Sequence, residues 1–144
     1  MQVIHSRSLN RRLSANYVNG TMEVTVEQAQ CSTQIYNFSE RLLQQLVHFH
    51  ALKLTDSVFL WIGTGTANLS SLAVAMTTKF DNIPASASLL GETSDTPSMS
   101  LAQKLAKKTG KQIFVSYNLQ TDPMLLPLVE KRLIEEIDRY PDKF

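Results

Sequence analysis

Two histidines, His48 and His50, are the residues whose type and spacing come nearest to a chemical site. On a β-strand they point to one face, because side chains alternate between the two sides, and two imidazoles on one face can share a metal ion. No third ligand lies nearby in the sequence, and the single cysteine, Cys31, leaves no cysteine-based zinc framework. The pair therefore favours a partly wet sheet face or a subunit interface over a metal centre.

Two further patterns resemble catalytic or phosphate-binding loops only weakly. Gly63-Thr64-Gly65 lacks both the longer glycine spacing of a dinucleotide site and the lysine of a P-loop, and a hairpin connection explains it better. Ser94 and Asp95 are not part of a Gly-x-Ser-x-Gly elbow. The sequence therefore predicts no enzyme, with no catalytic residue, no cofactor and no metal.

Four lysines follow the i, i+3, i+4, i+7 spacing of one helical ridge: Lys104, Lys107, Lys108 and Lys111. Cations near a helix C-terminus complement the helix dipole, and a solvated face is the simpler interpretation. The alternative is a docking ridge for an acidic protein surface, where charges steer association. Both interpretations stay open, and we predict His48, His50 and the four lysines as candidate partner-binding residues.

Composition limits the classes of protein to which the chain can belong. With 144 residues, 43% hydrophobic residues and a net charge of +1, it fits one folded domain and not a general nucleic-acid-binding or membrane-binding surface. A single cysteine favours a reducing compartment, so we expect a cytoplasmic or nuclear location. We expect residues 1–30 to be a disordered leader, for which a mitochondrial presequence is the alternative, and residues 31–144 to form a single domain.

The unbroken apolar run Val58–Ile62 predicts a central strand covered on both faces. Residues 41–54 fit either a capped helix or a strand, and we favour a strand that returns antiparallel through a turn at Thr55-Asp56. We predict further strands within residues 31–40, 72–76, 85–91 and 112–119, and a short one over Glu23–Val26.

Two helices are predicted in the C-terminal half of the chain. The first has Thr96 as its N-cap, Pro97 as its first residue and Gly110 at its end. The second opens at Asp122-Pro123 and carries an apolar stripe through Val129, Leu133 and Ile137. The expected fold is α+β: an antiparallel sheet or sandwich of about six strands with two main helices.

The chain resembles the proteasome assembly chaperone 3/4 family from about Ile35 to Phe144, in the same order throughout. The matching stretches are Asn37–Ser39, Gln45–His50, Leu54–Ser57, Phe59–Trp61, Leu72–Met76, Ser88–Gly91, Thr93–Thr96, Leu101–Gln103 and Phe114–Leu119. The resemblance favours the strand interpretation of residues 41–54 and implies a small α+β fold of antiparallel strands and helices.

The resemblance also implies a function. Members of this family are non-enzymatic chaperones that pair with proteasome assembly chaperone 3 and help α-type subunits of the 20S core assemble into their ring. On this basis we expect that heterodimer, the α-type subunits as partners, and a homodimer as an alternative state of the isolated chain. A generic α+β adaptor or trafficking module is the second hypothesis, and a small hydrolase the third.

Overall fold

The computed structural model describes residues 11–18, 21–28, 33–91, 96–120 and 122–144, which fall into two units, Met1–Ser32 and Thr33–Phe144. In the first unit, β1 (Arg11–Val18) and β2 (Thr21–Gln28) pair antiparallel, with Val18 opposite Thr21. The strand predicted over Glu23–Val26 lies inside β2. We expected no other regular structure in the leader, and the division of the chain at residue 30 stays a prediction.

The second unit is built on a six-stranded sheet. Its strand order is β3-β4-β5-β8-β6-β7, so that β5 and β8 lie at the centre. The strands are β3 (Gln34–Leu42), β4 (Gln45–Lys53), β5 (Ser57–Gly63), β6 (Leu72–Met76), β7 (Ala85–Leu90) and β8 (Gln112–Asn118). The α+β class, the six strands of the main sheet and the strand interpretation of residues 41–54 are thus confirmed.

The prediction that the sheet is antiparallel is wrong at its centre, where β5 and β8 run parallel with Leu60 opposite Val115. All other neighbouring strands of this sheet are antiparallel. A parallel pair needs a long crossover, which the β6–β7 hairpin and the first helix supply between them. The crossover brings β8 in between β5 and β6, so its alternating apolar residues Ile113 and Val115 are buried in the middle of the sheet.

The first helix, α1 (Pro97–Thr109), begins and ends as its sequence predicts. Thr96 Oγ1 accepts a hydrogen bond from the Met99 N–H at 3.3 Å, and Pro97 is the first helical residue. Gly110 ends the helix with φ 69°, in the left-handed region that favours glycine, and its N–H reaches the Ala106 carbonyl at 2.8 Å. The buried stripe Leu101, Ala102, Leu105 and Ala106 faces the sheet.

The second helix, α2 (Leu125–Arg139), starts later than the predicted Asp122-Pro123. Asp122 instead forms a turn before the helix: its Oδ1 accepts from the Met124 N–H at 2.8 Å and its carbonyl from the Leu125 N–H at 3.1 Å. The predicted stripe is buried, with Val129 and Leu133 at 0% exposure. A short 3₁₀ helix (Pro141–Lys143) follows, and the Phe144 ring is buried in the core.

A charged network fastens α2 to the edge strand β3. Glu136 on α2 is only 2% exposed; its carboxylate accepts from the Tyr36 hydroxyl and from Arg132 Nη1, the latter at 2.6 Å. Arg132 Nε also reaches Glu40 at 3.2 Å, and its guanidinium lies 5.0 Å from the centre of the Phe38 ring. Buried charges are tolerated when they are paired in this way, so the network holds α2 against β3.

The pKa values of Glu136 and Tyr36, which hydrogen-bond each other in this network, shift in opposite directions. Burial by itself raises the pKa of Glu136, but the hydrogen bonds from Tyr36 and Arg132 and the positive charge of Arg132 outweigh it and lower that pKa. Burial and the hydrogen bond to Glu136 raise the pKa of Tyr36 to about 12. Folding therefore favours the ionised Glu136 and the protonated Tyr36, the states that hydrogen-bond each other.

We predict that Glu136→Gln lowers the free energy of unfolding by about 2 kcal/mol at pH 7, because it leaves the partly buried Arg132 without its closest counter-charge. Urea denaturation of the full chain measures the loss. Because the folded-state pKa of Glu136 is lowered, its contribution is present above the ordinary carboxyl pKa of 4.5 and is lost as the pH falls through the folded value. The difference in free energy of unfolding between Glu136→Gln and the original chain should therefore become smaller at acid pH.

The control is Glu135→Gln, which removes the neighbouring carboxylate, 51% exposed and 3.9 Å from Lys131. An exposed pair contributes about 0–1 kcal/mol, so this variant should stay close to the original chain. Equal losses of unfolding free energy in Glu136→Gln and Glu135→Gln would show that the buried network does not hold α2 against β3.

Candidate functional site

The two faces of the six-stranded sheet have different surroundings. Both helices pack on one face, where ten strand residues are buried with them in the core: Val47, Phe49, Ala51, Val58, Leu60, Ile62, Ala75, Ile113, Val115 and Tyr117. We predicted that β5 would be covered on both faces, and every residue of Val58–Ile62 except Phe59 is buried. Phe59 is only partly buried, on the face away from the helices.

We call this second side of the sheet the open face. One apolar row crosses all six strands on it, each residue paired with the next: Ile35, Leu52, Phe59, Phe114, Val74 and Ala87. Ile35 is 73% exposed, and Met76 beside the row is 48% exposed. Within residues 33–144, no described helix covers this row. Contiguous apolar surface of this kind marks an interaction site.

Trp61 is the most sheltered aromatic side chain of the open face, at 8% exposure. Its indole Nε1 donates to the Asn68 carbonyl at 2.7 Å, so that the loop after β5 holds the ring in place. The ring lies over Gly63, where a Cβ would come within 2.5 Å of two indole carbons. Only glycine leaves room for the indole to lie flat along the strand, and this defines the shape of the face.

His48 and His50 both lie on β4 and on the open face, as their spacing predicts. Each is tied to the edge strand through Nδ1: His48 to Ser39 Oγ at 2.7 Å, and His50 to Asn37 Oδ1 at 2.8 Å. The His50 ring is centred 5.2 Å from Trp61. Burial and the neighbouring His48 lower the pKa of His50.

The histidine pair does not form part of a metal site in the described part of the chain. There, no group of three or more histidine, cysteine, aspartate or glutamate side chains is arranged to hold a metal ion. The pair instead gives the apolar face a polar margin. Likewise, no helix among the described residues is long and apolar enough to cross a membrane.

The lysine ridge of α1 lies on the helical side of the molecule, away from the histidines. Lys104 pairs with Glu130 of α2 at 2.5 Å and Lys108 with Asp138 at 2.6 Å, while Lys111 Nζ donates to the Phe144 carbonyl at 2.5 Å. The two ion pairs join α1 to α2 at the surface, each contributing about 0–1 kcal/mol. Lys111 lies beyond the end of α1, so the prediction that all four lysines share one helical ridge is wrong for this residue. Lys107 is exposed. A partner-binding role for the ridge stays a prediction.

Comparison with known proteins agrees with this architecture. The family model for proteasome assembly chaperone 4 matches residues 46–119. Human proteasome assembly chaperone 4 is 56% identical over 124 residues, which cover 85% of this chain and all of the human protein, and its mouse counterpart is 53% identical over the same extent. The chain belongs to the proteasome assembly chaperone 4 family.

A solved structure supports the fold of this family member. A chain from the crystal structure of a chaperone complex for yeast 20S proteasome assembly aligns with a TM-score of 0.54 over 77% of this chain and 97% of its own length. At 13% identity, that similarity concerns the fold alone.

The aromatic side chains of the open face are candidate functional residues that sequence reasoning missed. Phe59 and Trp61 were expected to be covered within the sheet, and Phe114 was assigned only to a strand. The apolar run Val58–Ile62 predicts burial on both faces. The run does not indicate whether the second covering layer comes from this chain or from another protein. The contact between Gly63 and Trp61 has no sequence pattern that would predict it.

We predict that Gly63→Ala displaces the Trp61 indole from its place over β5 and breaks its hydrogen bond to Asn68. Trp61 is the single tryptophan of the chain, so its fluorescence reports this site alone. Exposure to water should shift the emission to longer wavelength and increase quenching by iodide. Ser57→Ala, on the same face at the other end of β5, is the control and should leave the spectrum unchanged. An unshifted spectrum in Gly63→Ala would contradict the tight fit.

Proposed function

We propose that this protein is a non-enzymatic chaperone of 20S proteasome core assembly, which acts as a heterodimer with proteasome assembly chaperone 3 on the α-subunit ring. Its family membership supports the chaperone function. The observation that carries the heterodimer is the open face, where apolar side chains from six strands are covered by no helix of the described residues. We place this heterodimer in the cytoplasm or nucleus.

The open face has the chemistry of a protein interface. Its aromatic centre is the buried Trp61 with the partly buried Phe59 and Phe114, and aromatic residues are common anchors of protein–protein binding. Its margin carries Asn37, Ser39 and the two histidines. An apolar centre with a polar rim is the arrangement of interfaces between folded proteins.

The dimensions of the open face also suit a folded partner. Six strands at about 4.8 Å spacing extend about 24 Å across, and strands of five to nine residues extend about 17–30 Å along. Such a face has an area of several hundred Å², comparable with the ~800 Å² that each partner contributes to a standard interface. A second sheet laid on this face would complete a sandwich with the helices outside.

The helical side of the molecule remains for the α-type subunits once the open face is occupied. There the lysine ridge presents Lys107 without a counter-ion among the described residues, beside Lys104 and Lys108, which neutralise acids of α2. We therefore assign the open face to chaperone 3 and the helical side to α-type subunits. The two surfaces lie on opposite sides of the sheet, so both partners can bind at once.

We predict that Ile35→Glu weakens the binding of chaperone 3 by at least about tenfold, because it buries an unpaired carboxylate in an apolar interface. Ile35 is 73% exposed, so the substitution should leave the fold intact. Isothermal titration of the purified full chain with recombinant chaperone 3 measures the affinity. Native pull-down from cells should show α-type subunits recovered with the original chain and lost with the variant.

The matched control is Met124→Glu, which introduces the same charge at an equally apolar residue, 71% exposed, just before α2 and outside the open face. It should bind chaperone 3 as the original chain does. Equal affinity of both variants would reject the open face as the interface. Failure of the unmodified chain to recover chaperone 3 or α-type subunits would reject the proposed function itself.

A further inference from the structure

The charged and titratable strand residues of the open face are gathered at one corner and are all bases. We call Arg41, His48 and His50 the basic corner; they lie on β3 and β4, where Arg41 is opposite Leu46 and His48 is opposite Ser39. The other described strand positions of this face, on β5, β6, β7 and β8, carry apolar or uncharged polar side chains. The corner therefore faces outward without a carboxylate from its own sheet.

The acid nearest to the corner in sequence points the other way. Glu40 lies on the helical side, where it binds Arg132. Arg41 makes no ion pair with any residue that the structure describes. In a covered interface an unpaired guanidinium costs several kcal/mol, so whatever covers the open face must also satisfy this charge.

Hydrogen bonds to β3 fix the orientation of the two histidine rings. Because Asn37 Oδ1 accepts at His50 Nδ1, this nitrogen carries the hydrogen, and Nε2 of the neutral ring is an acceptor that becomes a donor on protonation. His48 is held at Nδ1 by Ser39 Oγ, a hydroxyl that can donate or accept. Both rings thus leave Nε2 for contact, with Arg41 diagonal to His48 on β3.

We propose that the chain covering the open face presents carboxylates opposite the basic corner, so that it is a protein of different sequence and not a second copy. The proposal rests on the heterodimer proposed above and specifies its chemistry. A second copy would bring the same three basic residues and no described strand carboxylate on its own open face. A partner with acidic residues there satisfies all three bases, and this charge complementarity selects the heterodimer over the homodimer.

The sign of the pH dependence distinguishes this proposal from simple apolar burial. The groups that face His50 are His48 on its own strand, Asn37 on β3 and Trp61 on β5, none of them an acid. Desolvation by a neutral partner would lower the pKa of His50 further, so binding would release protons and weaken as pH falls. A partner carboxylate raises the pKa instead, so binding takes up protons and strengthens as pH falls.

The test is titration of the full-length chain with recombinant chaperone 3 at pH 8, 7 and 6, at low and high salt. We expect the affinity to rise about tenfold towards pH 6, since a shift of one pKa unit on binding changes affinity tenfold. High salt should reduce the affinity. Self-association of the chain alone, followed by sedimentation, should weaken over the same pH range. The double variant His48→Gln/His50→Gln should bind with little pH dependence.

Charge reversal tests the arginine separately. Arg41→Glu should lower the affinity for chaperone 3 at least about tenfold, while Lys131→Glu, the same reversal on the exposed side of α2, should change it less than about threefold. An affinity that falls towards pH 6, a pH dependence retained in the double histidine variant, or equal effects of the two reversals would overturn the proposal while leaving the heterodimer in place. No binding at any pH would overturn the heterodimer as well.

Discussion

The second unit of this protein is a two-faced apolar sheet with a single covering layer. β5 and β8 lie at its centre and carry apolar residues on both sides, but α1 and α2 pack on one side only. Burial of apolar area is the main favourable term in folding, so the helical side accounts for the stability of the unit. The open face remains as apolar surface that no described helix covers, and both its composition and its exposure follow from this one constraint.

The edge strand β3 contributes to both sides of the sheet, because its alternate residues point to opposite faces. Tyr36, Phe38 and Glu40 face the helices and contact Arg132 and Glu136 of α2. The residues between them, among them Asn37 and Ser39, face the other way and hold the histidines. Edge strands are often mobile or prone to mispairing, and the buried network opposes this by fixing β3 to a helix. The position of the basic corner therefore depends on a network on the opposite side of the sheet.

Local features of this fold can be predicted from sequence because they are encoded by neighbouring residues. The N-cap Thr96, the glycine at the end of α1 and the turn between β4 and β5 are all of this kind. The insertion of β8 between β5 and β6 cannot be predicted from neighbouring residues, because it depends on where α1 returns the chain to the sheet. The ion pairs of Lys104 and Lys108 with α2 were likewise unpredictable, since they need the packing of two helices whose relative position the sequence does not specify.

The candidate site was predicted only in part, for a physical reason. The alternation of β4 gives the direction of His48 and His50, but periodicity measures which residues avoid water and not which molecule excludes it. Residues such as Phe59 and Leu52 have the same signature whether a helix or a partner covers them.

Apolar contact of this kind provides affinity for many partners and selects weakly among them. In an otherwise apolar sheet face, discrimination between partners must come from the few charged groups, because a mismatched charge costs more than any one apolar contact gains. The residues that the sequence singled out first as a weak metal candidate are therefore the ones through which the open face can distinguish its partner from a copy of itself.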